Sequence, residues 1–199
     1  MQQELLTIKE AQKGNLSAFN QLVMAYQGTA YNVAYRVIGN SDAAADACQD
    51  SFLKAYKSIQ QYQGGSFKSW LLRIVTNTCY DQLRYHQRRP TTPLEDGPEE
   101  QEDHHPALIS DDERPEDFVL RGELSDLLQA GINQLPEEQR VVLVLSDVQG
   151  LAYQEIAEII DQPLGTVKSR LSRARGRLRD YLLAQKELLP GQYRLKEKK

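Results

Sequence analysis

The sequence predicts an all-α fold in which two small helical domains are joined by a disordered acidic linker. Apolar residues recur at three- and four-residue spacing on both sides of a central segment, and glycine, asparagine and proline punctuate those runs. The central segment, PTTPLEDGPEEQEDHHPALISDDERPEDF, holds five of the eight prolines and too little apolar surface to offset its chain entropy.

Charge separates the same three parts. Residues 1–89 carry 10 basic and 6 acidic side chains, residues 90–119 carry one (Arg114) and 11, and residues 120–199 carry 13 and 11. The net charge of −4 therefore averages two mildly basic blocks and a strongly negative insert, and it is local fields that attract phosphate. The expected organisation is a first domain over 1–89, the linker over 90–119, a second domain over 120–185 and a tail over 186–199. A relaxed coil of the linker's length spans about 30 Å, and its charge biases it towards longer extensions. No run approaches the ~18 apolar residues of a membrane span. The N-terminus, MQQELLTIKEAQKGN, lacks the pattern of a secretory signal. Cys48 and Cys79 cannot form a disulfide framework. These features describe a soluble cytoplasmic protein with no membrane insertion.

In the first block, helices are expected over about Gln3–Lys13 and about Leu16–Val37, the second stopping at Gly39-Asn40. Ser41 is the expected N-cap of a third helix, with Asp42 in its first turn. Ala44, Ala47, Cys48, Phe52, Ala55 and Ile59 make its buried stripe, while Asp46, Gln49 and Asp50 share a different, outward face. Tyr62-Gln63-Gly64-Gly65 interrupts the pattern, and Ser66 caps a long fourth helix with a core stripe of Leu71, Ile74, Val75, Cys79 and Leu83. Trp70, Arg73, Asn77, Arg84 and Arg88 fall on another side of it. Arginines neutralise phosphate, an indole offers a stacking plane and an asparagine pairs with a base edge. The alternative is a solvated helix face with Trp70 as a core anchor.

In the second block, Leu135-Pro136-Glu137-Glu138 reads as a helix start. Val141–Leu145 fits a buried strand by periodicity alone, but the acidic start favours a helix. Tyr153–Ile160 is a short amphipathic helix, Asp161–Gly165 a turn, and Thr166 opens TVKSRLSRARGRLRDYL. Val167, Leu171, Ala174, Leu178 and Leu182 line one face of this last helix, and lysine and arginine fill the rest. A short helix, a tight turn and a basic helix make a helix-turn-helix. Lys168, Ser169, Ser172 and Arg173 are the candidates for base edges and nearby phosphates in a major groove, and the later arginines for the backbone.

Both blocks, in this order, resemble the extracytoplasmic-function (ECF) branch of the bacterial sigma-70 family. The first is similar to the family's region 2 through Asp46–Tyr56 and through Phe67–Leu71 and Asn77–Arg84. The second is similar to region 4 through Leu135–Arg140 and Gly165–Arg175. The sequence departs from the family in the turn, where Asp161 and Gln162 replace a glycine and an aliphatic residue; Leu164 offers the missing apolar contact.

The resemblance implies a non-catalytic initiation subunit of bacterial core RNA polymerase that binds promoter DNA. Asp46, Gln49 and Asp50 match the surface that docks on the polymerase clamp helices, and region 4 is expected at the flap. Tyr62, Gly64, Gly65, Ser66, Phe67, Lys68, Trp70, Arg73, Asn77 and Arg84 match the element that opens and reads the −10 region. Thr166, Lys168, Ser169, Arg170, Ser172, Arg173, Arg175 and Arg177 match the reader of the −35 element. Control by an anti-sigma protein is expected from the same resemblance. So is a linker stretched or docked in the polymerase's RNA channels, against the alternative of a simple soluble spacer.

A free-standing helix-turn-helix regulator would use only the second block, and a protein-binding helical scaffold would not need the arginines. An enzyme is disfavoured: His86, His104 and His105 are the only histidines, no glycine-rich phosphate loop appears, and no metal-ligand spacing or cofactor motif is present.

Overall fold

The computed structural model describes residues 2–88 and 115–185, with side chains for 2–85 and 122–185. The regular structure of these residues is helical: α1 (Gln2–Gln12), α2 (Leu16–Ile38), α3 (Ser41–Ser58), a short 3-10 turn (Ile59–Gln61), α4 (Phe67–Arg88), α5 (Pro115–Asn133), α6 (Glu137–Leu143), α7 (Tyr153–Ile160) and α8 (Leu164–Ala184). Helices α1–α4 pack on one another, and α6 and α7 pack on α8.

Local chemistry sets the helix ends. The Asn15 side chain accepts from the Ala18 N–H at 3.2 Å and starts α2, and Gly39, at φ 83°, ends it. The cap of α3 is Asn40 rather than the expected Ser41. Asn40 is extended and its Oδ1 accepts from the Ala43 N–H at 2.9 Å, which leaves Ser41 as the first helical residue. Ser66 caps α4 as expected, its Oγ accepting from the Ser69 N–H at 3.1 Å.

The stripe of α3 is buried at Ala44, Ala47, Cys48, Ala55 and Ile59 and partly buried at Phe52. In α4 the buried face is wider than expected, because Leu72, Thr76 and Thr78 join Leu71, Val75 and Cys79. Each fully buried Leu or Val stabilises the fold by about 1.5–3 kcal/mol. Both thiols serve packing. Burial raises their pKa values, that of Cys79 to about 12.

Two parts of the second block differ from expectation. Helix α5 starts at Pro115, inside the stretch assigned to the linker; residues 89–114 lie outside the described residues. Pro115-Glu116-Asp117 is itself a helix start, a proline at the first position followed by carboxylates at the positive dipole end. The strand alternative for Val141–Leu145 is not adopted. The run begins in α6 and passes into a π-helical turn over Val144–Val148; Val141, Val142, Leu143, Val144 and Leu145 are all buried. Helix α8 begins at Leu164 rather than Thr166, because the Pro163 carbonyl accepts from the Thr166 N–H at 2.8 Å.

Asp161 ends α7 at φ 51°, the one positive-φ residue other than glycine among those described. This conformation costs an L-residue about 1–2 kcal/mol, a cost that glycine avoids. Asp161→Gly is expected to stabilise the second domain by about 0.5–1 kcal/mol after the added chain entropy of glycine is subtracted. Thermal unfolding of the two proteins tests this.

The two helical units also touch. Arg140 donates to the Val37 carbonyl of α2 at 2.6 Å and to the Asn133 and Leu135 carbonyls at 2.7 and 3.1 Å. Arg36 of α2 donates to Ser125 Oγ at 3.1 Å and Gln129 Oε1 at 3.0 Å in α5. Gly39 meets α5 so closely that a Cβ there would lie 2.6 Å from Asn133 Oδ1.

Candidate docking groove and nucleic-acid interface

Helices α2 and α3 leave a groove of about 1200 Å³ between them. Leu16, Phe19, Val23 and Tyr31 line it from α2, and Cys48, Phe52, Leu53 and Tyr56 from α3. Leu16 and Leu53 are 56% and 59% exposed, a large amount of leucine surface to leave facing water. Phe19 and Tyr56 stack edge-to-face at 5.0 Å and stiffen one wall. Gln49 lines the groove, and Asp46 and Asp50 stand exposed on the adjoining turns of α3. The expected acidic face thus borders an apolar trough. The sequence reading placed Cys48 and Phe52 in the core and did not assign Leu16, Phe19, Val23, Leu53 or Tyr56 to the docking surface, although Gln49, Leu53 and Tyr56 repeat at helical spacing beside the buried stripe.

The loop before α4 is built around aromatic rings. Tyr62 and Phe67 are buried, and Phe67 packs against Tyr26, Tyr62 and Trp70 at centroid distances of 5.3, 5.7 and 5.3 Å. Trp70 is partly buried in this cluster, as the core-anchor alternative has it, and only part of its ring remains for stacking. The Tyr62 hydroxyl donates to the Gly65 carbonyl at 2.8 Å, and Gln12 of α1 donates to the Ile59 and Tyr62 carbonyls. These bonds hold Gly64 and Gly65, both left-handed, as an exposed rim with open space around them. Gln12 carries no signal in the sequence. Along α4, Arg73, Asn77 and Arg84 are exposed on one side. Ser66 is exposed but occupied as the helix cap. Lys68 and Ser69 are half-buried, their polar atoms bonded to the second unit: Lys68 Nζ to the Gln149 carbonyl and Ser69 Oγ to Glu155 Oε1, both at 3.0 Å.

In α8 the apolar face is buried through Val167, Leu171 and Ala174. Lys168, Ser169, Ser172, Arg173 and Arg177 are exposed, while Thr166 is half-buried in the first turn. Two arginines have partners within the chain. Arg170, with a side chain 18% exposed, pairs with Glu138 at 2.5 Å. Arg175 grips Asp147 through Nε and Nη2 at 2.9 and 2.6 Å. That hydrogen bond holds the Asp147 carboxyl below the usual carboxylate range. Because the folded-state pKa is depressed, the stabilisation is present at neutral pH and is lost as acid protonates Asp147, below about pH 4. Asp147→Asn is expected to cost under about 1 kcal/mol at pH 7, the pair being half-exposed. It should also flatten the loss of stability between about pH 5 and 3. Thermal melts at stepped pH check both.

Among the described residues no group of three His, Cys, Asp or Glu side chains is placed to hold a metal ion, and no helix is long and apolar enough to cross a membrane.

Fold and surfaces together place the chain in the class of two-module helical proteins whose second module carries a helix-turn-helix. The chain matches Sigma-70 region 2 over residues 22–89 and Sigma-70, region 4 over residues 125–178. It is 40% identical over 167 residues to the ECF RNA polymerase sigma factor SigE of Mycolicibacterium smegmatis, covering 84% of this chain and 62% of that one. It is 37% identical over 169 residues to the ECF RNA polymerase sigma-E factor of Salmonella typhimurium, covering 84% and 88%. Among solved structures it resembles CnrH in complex with the cytosolic domain of CnrY (TM-score 0.64, 25% identity, 90% of this chain and 96% of that chain). It also resembles the sigma factor RpoE in complex with the anti-sigma factor NepR from Bartonella quintana (TM-score 0.63, 27% identity, 84% and 98%). The chain belongs to the ECF group of the sigma-70 family of RNA polymerase sigma factors. Members of this family are transcription initiation factors.

Proposed function

We propose that this chain is the promoter-recognition subunit of a bacterial RNA polymerase, acting in the cytoplasm without catalysis of its own. The observation that carries this reading is the apolar groove between α2 and α3, bordered by Asp46, Gln49 and Asp50 and separate from the basic faces of α4 and α8. A free-standing DNA-binding protein has no use for such a groove. A rim carboxylate contributes only about 0.2–1 kcal/mol, so most docking energy on the polymerase clamp helices comes from Leu16, Val23, Phe52, Leu53 and Tyr56. Arg73, Asn77 and Arg84, with the Gly64-Gly65 rim, face the −10 region. A base there is read on its pairing edge only after leaving the stack, which costs a few kcal/mol. Lys168, Ser169, Ser172 and Arg173 enter the major groove of the −35 element, and Arg177 grips phosphate. The likeness to a sigma factor bound to the anti-sigma factor NepR supports control by an anti-sigma protein.

Size-exclusion chromatography of the full chain mixed with purified bacterial core polymerase tests the reading. Co-elution is expected. Separate elution, with tight binding to DNA alone, would favour the free-standing regulator instead.

A further inference from the structure

The loop that presents Gly64 and Gly65 is held by a helix that lies ahead of the region 2 match, which begins at residue 22. Gln12 is the last residue of α1. Its side-chain nitrogen donates to the first carbonyl of the 3-10 turn, Ile59, at 3.1 Å, and to the carbonyl just past that turn, Tyr62, at 2.8 Å. An amide nitrogen carries two donors and serves both carbonyls; a carboxylate would serve neither.

Tyr62 passes the constraint on. Its N–H donates to the Ile59 carbonyl at 3.1 Å, and its hydroxyl reaches across to the Gly65 carbonyl at 2.8 Å. The far end of the loop is tied to α1 as well. Glu4 accepts from the Tyr26 hydroxyl, and the Tyr26 ring packs on Phe67, the first residue of α4. Between these anchors the two glycines stand at φ 103° and 89°, and a Cβ on either would meet nothing within 4 Å. The rim therefore takes its shape from its two ends rather than from neighbours packed on it.

Successive glycines lose more backbone freedom on ordering than any other residues. A loose rim would have to be ordered by each base that enters it, and it would adapt to wrong bases as readily as to the right one. Selectivity needs main-chain groups that stand in place before the base arrives.

We infer that Gln12 is a positioning residue for the −10 reading loop: through Tyr62 it fixes the Gly64-Gly65 rim and sets how sharply one base of the −10 strand is chosen over the other three. The inference rests on the function proposed above. Gln12 does not line the docking groove, so attachment to polymerase does not depend on it.

The test assembles holoenzyme from core polymerase and the full chain, mixes it with single-stranded DNA randomised over the length of a −10 element, and sequences the retained strands. Wild type should enrich particular bases at defined positions. Gln12→Glu keeps the side-chain shape and removes the donors, whereas Gln12→Lys restores donors on a stem of similar length. Gln12→Glu should lower selectivity at one position by about three- to tenfold, the range of a single hydrogen bond. Preferences elsewhere and co-elution with core polymerase should not change, and Gln12→Lys should recover the lost selectivity. Tyr62→Phe, which removes only the hydroxyl on Gly65, should lower selectivity at the same position. Unchanged selectivity in Gln12→Glu would overturn the inference, as would a uniform loss of retention with preferences intact, loss of co-elution, or no recovery with lysine. So would a Tyr62→Phe defect at a different position. A wild-type holoenzyme that retains no strand preferentially would instead count against the sigma-factor reading itself.

Discussion

Leu53→Asp is expected to separate the chain from core polymerase while leaving its fold intact. Leu53 is 59% exposed on the lip of the groove between α2 and α3, so the substitution removes little from the chain's own core. In the complex the same position would be covered by apolar surface from the partner. A carboxylate there would be desolvated without a hydrogen bond, and the leucine's own contribution would be lost. The expected cost is about 2–4 kcal/mol, a roughly 30- to 700-fold weaker complex. Asp46→Ala should weaken it by no more than about 1 kcal/mol. Competition for core polymerase by a labelled chain, with a thermal melt as the folding control, reads both effects. Equal losses from the two substitutions would place the docking energy on the acidic rim instead.

Arg173→Ala and Arg170→Ala should fail in different ways, although the two arginines sit three residues apart in α8. Arg173 is exposed and faces the proposed DNA groove, so its loss should cost about 1–3 kcal/mol of −35-dependent promoter binding with no change in melting temperature. If its contact is a phosphate, the salt dependence of binding should also become shallower by about one ion. Arg170 is largely covered and paired with Glu138 at 2.5 Å. Its replacement removes the packing of a largely covered side chain and its pair with the exposed Glu138 carboxylate, and should lower the stability of the second domain by about 1 kcal/mol. Thermal melts together with holoenzyme binding to promoter fragments at several salt concentrations separate the two.

How much of this was legible in the sequence depends on the reach of each interaction. Local signals worked: the stripe of α3, the Ser66 cap and the stop at Gly39 all concern residues within a turn or two of one another. The Val141–Leu145 run was ambiguous because it is buried on every side, and periodicity vanishes when no face is wet. The first turn of α5 was hidden by its acidic composition, although Pro115 is itself a start signal. Partnership across the chain was not legible. Arg175 and Arg177 look alike in sequence, yet Asp147, 28 residues away, claims only Arg175. Tyr62 and Phe67 flank a loop rich in glycine and serine, where exposure is the natural reading. Their rings are buried against Tyr26 of α2 and Trp70 of α4. The contact between the units depends on backbone carbonyls at Val37 and Gln149, which no side-chain pattern encodes.

The most direct measurement is run-off transcription with purified core polymerase, the full chain and a library of promoter-bearing fragments. The account predicts transcripts from defined start sites that require the added chain and fall in yield with Leu53→Asp or Arg173→Ala. Transcripts that begin only at fragment ends, unchanged by adding the chain, would contradict it.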